Sequence, residues 1–137
     1  MGSNSTLQNR RRIAVTGIGL VSPLGNNVSS TWASLVEGKN GVGPITHFDA
    51  SKFSVKIAAE VKSFKPDSFL SSKELRKLGL FIQYAIGATH EALKDAGLSA
   101  VRFGEGHHSN IPAERVGVNI ASGMGGLPEI EYWCKEL

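Results

Sequence analysis

Few side chains in this sequence can act as nucleophile, base or metal ligand near neutral pH. There is one cysteine, Cys134, and four histidines, His47, His90, His107 and His108. A reactive thiolate needs a helix N-terminus or a basic partner close by. Cys134, between Trp133 and Lys135, has neither in its sequence context. His90 lies within a helical pattern and reads as structural. His107 and His108 are adjacent and point in different directions, and no Cys/His spacing suits zinc. The residues themselves therefore nominate no catalytic group and no metal site.

Two glycine turns are better candidates for a site. The first is IAVTGIGLVSPLG over residues 13–25, a short apolar run followed by Gly17, Gly19 and Gly25. A dinucleotide fingerprint requires G-x-G-x-x-G opening directly into a helix, with an acidic residue after the next strand. Here Ser22 and then Pro23 stand where the third glycine should, and the helix starts only after Asn26. No Gly-Lys-Ser/Thr follows, so the P-loop fails as well. The glycines read as a tight reversal with close backbone packing, and Pro23 stiffens it. A nucleotide-binding module is the competing reading, and titration with dinucleotides separates the two. The second turn is Gly123-Met124-Gly125-Gly126. One large side chain among glycines either projects into a pocket or fills a gap in a core.

The elements that hold these turns follow from periodicity. Residues 12–16 read as a buried strand. Asn26 or Asn27 caps a helix running to about Glu37, with Val28, Trp32, Leu35 and Val36 as its apolar stripe and Gly38 as its stop. A glycine-bearing loop leads to a short strand over 56–61. Ser71 and Glu74 form a capping box. Beyond it Leu75, Leu78, Phe81, Ile82, Ala85, Ile86, Thr89, Leu93 and Ala96 keep a helical period, ended at Gly97, over about seven turns. Its alanine-rich second half predicts burial on more than one side. Residues 99–114 read as a polar loop, 115–121 as a second buried strand, and the chain closes with a short helix. Strands alternating with helices predict an α/β layered fold with a parallel or mixed sheet.

Composition narrows the classes. The chain has 137 residues, 41% hydrophobic and 20% charged, with a net charge of +3. That is the balance of one globular domain. The arginines at 10–12 have no interleaved aromatics to stack bases, so nucleic acid is not predicted. No apolar run is long enough to span a bilayer. A single cysteine excludes an intrachain disulfide. Residues 1–10 read as a disordered leader or a cloning scar. The myristoylation and glycosylation patterns within MGSNST are too short to assign a modification.

Three stretches taken together carry a resemblance: RRIAVTGIGLVSPLGNNVSSTWASLVEGKNGVGPITHFD, FIQYAIGATHEALKDAGL and VGVNIASGMGGL. In this order and spacing they resemble the N-terminal part of the β-ketoacyl-acyl-carrier-protein synthases, the type II condensing enzymes, over about residues 11–127. The resemblance implies a thiolase-like layered αβαβα fold, of which residues 11–137 would be only part of the N-terminal half. It implies a homodimer, acyl carrier protein as partner, and no nucleotide, cofactor or metal. It implies decarboxylative condensation in fatty acid biosynthesis, located in the cytoplasm or in an organelle. Met124 is implied to line the acyl pocket near the dimer interface, with Gly123, Gly125 and Phe81 beside it. The family's nucleophilic cysteine and histidines match none of Cys134, His47, His90, His107 or His108. The 137 residues alone are therefore expected to be inactive and poorly stable, with sheet edges and an apolar helix face uncovered. A non-catalytic, chain-length-factor-like subunit of the same fold is the alternative.

Overall fold

The computed structural model describes residues 12–98 and 115–136. The expectations for residues 1–10 and for the loop carrying His107 and His108 lie outside them. Helix α1 spans Val28–Val36 and is capped as expected by Asn27, whose side-chain oxygen accepts the Ser30 N–H at 2.8 Å. It ends in a Schellman turn: Gly38, at φ +68°, donates to Leu35 O and Lys39 N donates to Ser34 O at 2.9 Å. Its inward face is not the predicted one. Thr31 and Ser34 are buried, whereas Trp32 is 66% exposed and Leu35 and Val36 also face outward. The reason is polar. Thr31 Oγ1 donates to Gly25 O at 3.1 Å and Ser34 Oγ to Leu24 O at 3.0 Å. The hydroxyls thus serve the carbonyls of the preceding loop, and those carbonyls face the helix.

The strand expected over 56–61 shrinks to β2, Ile57–Ala58, which pairs antiparallel with β1, Gly43–Pro44. The Glu60 carboxylate ties this hairpin by accepting Thr46 Oγ1 at 2.7 Å and the Thr46 N–H at 3.0 Å. These bonds hold its pKa below the usual glutamate value.

The capping box forms as predicted. Ser71 Oγ accepts the Glu74 N–H, and Glu74 Oε2 accepts the Ser71 N–H at 2.7 Å. The single helix expected beyond it divides into α2, Ser72–Leu75, and α3, Leu80–Asp95. Gly79 adopts extended geometry at the break (φ −57°, ψ 153°). The carbonyls freed there are taken by the Gln83 amide, which donates to Leu78 O at 2.8 Å and Leu75 O at 3.3 Å. Glycine's poor helix propensity and a ready substitute donor explain why the periodic pattern does not become one continuous helix. Helix α3 ends at Gly97 (φ +73°), with Leu98 N donating to Leu93 O at 2.8 Å.

Helix α3 touches other segments on two sides, but the burial that its alanine-rich sequence predicts is not reached: Gly87 is its buried residue, and Leu80 and Phe81 are exposed. Phe64 and Phe69 press on Gly87 from one side, where an added Cβ would lie 3.0 Å from each ring. Phe64 also meets Tyr84 edge-on at 5.0 Å, and Leu70, 6% exposed, is the buried hydrophobic residue among those described. The first glycine loop lies on another side of α3. Helix α4, Leu127–Glu136, follows the second glycine turn.

Two expectations are corrected. Residues 12–16 and 115–121 form no ladder with any described residue, and their apolar side chains are exposed, Ile13 at 93%. A buried strand needs hydrogen-bonded neighbours and cover on both faces, and the described residues supply neither. The small sheet that does form is antiparallel and built from other segments. The helices and the small sheet are compatible with the expected fold class; the described residues do not display its layers.

Candidate functional site

The first glycine loop lies on the backbone of α3. A Cβ on Gly17 would collide with Ala92 O and lie 2.7 Å from Ala96 N; one on Gly19 would collide with Ala88 O. These positions are glycine because backbone meets backbone. The loop amides are also occupied. Ile18 N donates to Asp95 Oδ2 at 2.9 Å and Leu20 N to Glu91 Oε2 at 3.0 Å. The other oxygen of Glu91 accepts the Val28 N–H at 2.9 Å, the first free donor of α1. A phosphate loop offers its amides to an anion; here two carboxylates of the same chain already hold them and would repel one. The nucleotide reading therefore fails on geometry. Glu91 and Asp95 went unnoticed in the sequence. Their signal is spacing: two acids four residues apart on an alanine-rich helix, in register with Ala88 and Ala92.

The second turn joins Phe81 to Gly125. Phe81 is the second residue of α3 and is 39% exposed. Its ring covers Gly125 so closely that an added Cβ would fall against Cδ2 at 2.6 Å and Cζ at 2.8 Å. Gly126, at φ +76°, is the left-handed residue that only glycine adopts cheaply, and its Cβ position is 3.5 Å from Phe81 Cε1. Ile130 N donates to Gly126 O at 2.9 Å and starts α4. A Cβ on Gly79 would meet the Glu129 carboxylate, so the N-termini of α3 and α4 face each other across this turn. Among the described residues an added Cβ on Gly123 meets nothing within 4 Å, and Met124 is 75% exposed. The structure thus brings Phe81 and Gly125 together and leaves Met124 and Gly123 at the surface.

The remaining candidates stand apart. His90 stacks on Phe69 at 5.6 Å and 23°, a packing contact as expected. His47 offers its backbone N–H to Glu60 at 3.3 Å. Cys134 is exposed on α4. Two open clefts, one at the hairpin (about 390 Å³) and one between α1 and α3 (about 660 Å³), include none of Phe81, Gly123, Met124 or Gly125.

The class is therefore an α/β segment in which glycine turns dock on a central helix, without a nucleotide loop. A structure described as the ishigamide ketosynthase/chain length factor superposes with a TM-score of 0.59 at 39% identity, over 65% of this chain and 22% of that one. The family model for the beta-ketoacyl synthase N-terminal domain matches residues 10–135, and the chain belongs to that family. Among curated relatives, the 3-oxoacyl-[acyl-carrier-protein] synthase 2 of Coxiella burnetii is 49% identical over 122 residues, 89% of this chain and 28% of that protein. Those of Vibrio harveyi and Staphylococcus aureus (strain N315) are 47% and 38% identical, over 89% and 96% of this chain. The chain spans 28% to 30% of the length of these relatives.

Proposed function

We propose that this chain is the N-terminal part of a 3-oxoacyl-[acyl-carrier-protein] synthase of fatty acid biosynthesis. The observation that carries the reading is the 49% identity over 122 residues to a synthase of that name. The reaction has two halves. A cysteine thiolate attacks the acyl thioester on the carrier protein and releases the carrier thiol. Malonyl-carrier protein then loses carbon dioxide, and the resulting carbanion attacks the acyl-enzyme carbonyl. The 3-oxoacyl-carrier protein forms and the thiolate is regenerated, with an oxyanion hole and two histidines stabilising charge. None of the cysteine and histidines of this chain is assigned to those roles, so the 137 residues alone are read as inactive. Their contribution is to the acyl pocket. Met124 stands at the tip of a glycine turn, large and flexible, as a chain-length gate near a homodimer interface, with Gly123, Gly125 and Phe81 around it. Acyl carrier protein is the partner, the layered αβαβα fold the setting, and the cytoplasm the location.

A second reading has one observation in its favour, the structural neighbour whose name includes a chain length factor. Such a subunit would share the fold and lack the nucleophile. The deciding experiment is intact-mass measurement of the natural gene product after incubation with an acyl-carrier-protein thioester. The synthase reading expects a mass gain of one acyl group. No gain overturns it and favours the non-catalytic subunit.

A further inference from the structure

We infer that Phe81 is a specificity-determining positioning residue, which fixes the place of Met124 by clamping Gly125. The inference rests on the proposed role of Met124 as the gate. Gly126 needs to be glycine because its φ is +76°. Gly125 has no such backbone requirement, since the left-handed glycines among the described residues are Gly38, Gly97 and Gly126. What excludes a side chain at 125 is the Phe81 ring, with Cδ2 at 2.6 Å and Cζ at 2.8 Å from any added Cβ. On the other flank, an added Cβ on Gly123 meets nothing within 4 Å among the described residues. The Phe81 ring therefore holds the turn on one side of Met124, and among the described residues nothing holds it on the other, Met124 itself being 75% exposed there. Phe81 is anchored in turn, because it belongs to the first turn of the 16-residue helix α3. That helix is held at its far end by the bonds from the first glycine loop to Glu91 and Asp95. The ring thus carries the geometry of a rigid element to a turn that has little of its own.

Two readouts on the natural gene product carrying this chain test the inference. The first is the ratio of kcat/KM for a long and a short acyl donor. Phe81→Ala is expected to change that ratio by about tenfold, the low end of what a methylene more or less discriminates in an apolar pocket. Gly125→Ala is expected to change it also, and to have little further effect in a Phe81→Ala background, because the clash is then gone. Phe81→Leu serves as the milder variant should Phe81→Ala fail to fold. A ratio within about twofold of the unsubstituted protein, or an equal loss for both donors, overturns the inference. The second readout is the methyl NMR signal of Met124, assigned by its disappearance in Met124→Leu. It is expected to shift in Phe81→Ala and in Gly125→Ala; a signal unmoved in both overturns the clamp. If the unsubstituted product condenses no acyl donor, the proposed function falls, while the methyl signal still decides the clamp.

Discussion

At the scale of single residues, the roles divide between small residues that allow contact and carboxylates that enforce it. Gly17 and Gly19 let the loop backbone touch α3, and Glu91 and Asp95 hold it there. Glu91 matters more, since its two oxygens serve two different segments, the loop at Leu20 and the start of α1 at Val28. Glu91→Ala would leave two part-buried N–H groups without partners, each costing about 1–3 kcal/mol. Glu91→Gln keeps one good acceptor and is expected to cost about half as much. Urea unfolding of the natural gene product measures both, and equal losses would contradict the two-bond account. The glycines were legible in the sequence. The carboxylates were not, because nothing in a string of residues says which amides a helix face will meet.

At the scale of elements, local chemistry settled the ends and tertiary contacts settled the faces. The Asn27 cap, the Gly38 and Gly97 stops and the Ser71–Glu74 box all form where the sequence puts them, because each depends on residues within a few positions. The capping box also has a pH signature. The Ser71 hydroxyl, then the Ser71 N–H, hold the Glu74 pKa below the usual glutamate value. Its contribution to the helix start is therefore complete above that usual value and is lost as pH falls through the lowered one. An NMR titration of the Glu74 carboxyl should show the depressed midpoint, and Ser71→Ala, which removes the hydroxyl and keeps the backbone N–H, should move it part of the way back toward the ordinary range. A midpoint unchanged by Ser71→Ala would refute the assignment. The outward turn of the α1 stripe was not legible. Apolar spacing at Val28, Trp32, Leu35 and Val36 says that one face is greasy, not that hydroxyls on the other face would find carbonyls of the loop at 24–25.

At the scale of the whole molecule, the described residues hold together around one helix and cover little. The apolar residues of 12–16 and 115–121, together with Trp32 and Val36, stand in solvent, while one hydrophobic side chain is buried. Hydrophobic surface left this open drives association. The isolated 137-residue chain is expected to bind a hydrophobic fluorescent dye strongly and to self-associate in light scattering. A dye-silent monomer with a sharp thermal transition would show that the exposed segments find cover within these residues.

The sequence by itself determined the local starts and stops, the two glycine turns, and, through three motifs in fixed order, the β-ketoacyl synthase family. These depend on short-range backbone chemistry or on residue identity. Only the tertiary structure decided that α3 carries both turns, that Glu91 and Asp95 fill the loop amides, and that Phe81 lies on Gly125. Each of those joins residues 40 or more positions apart, so its cause is in how surfaces meet in space, which no periodicity along the chain records.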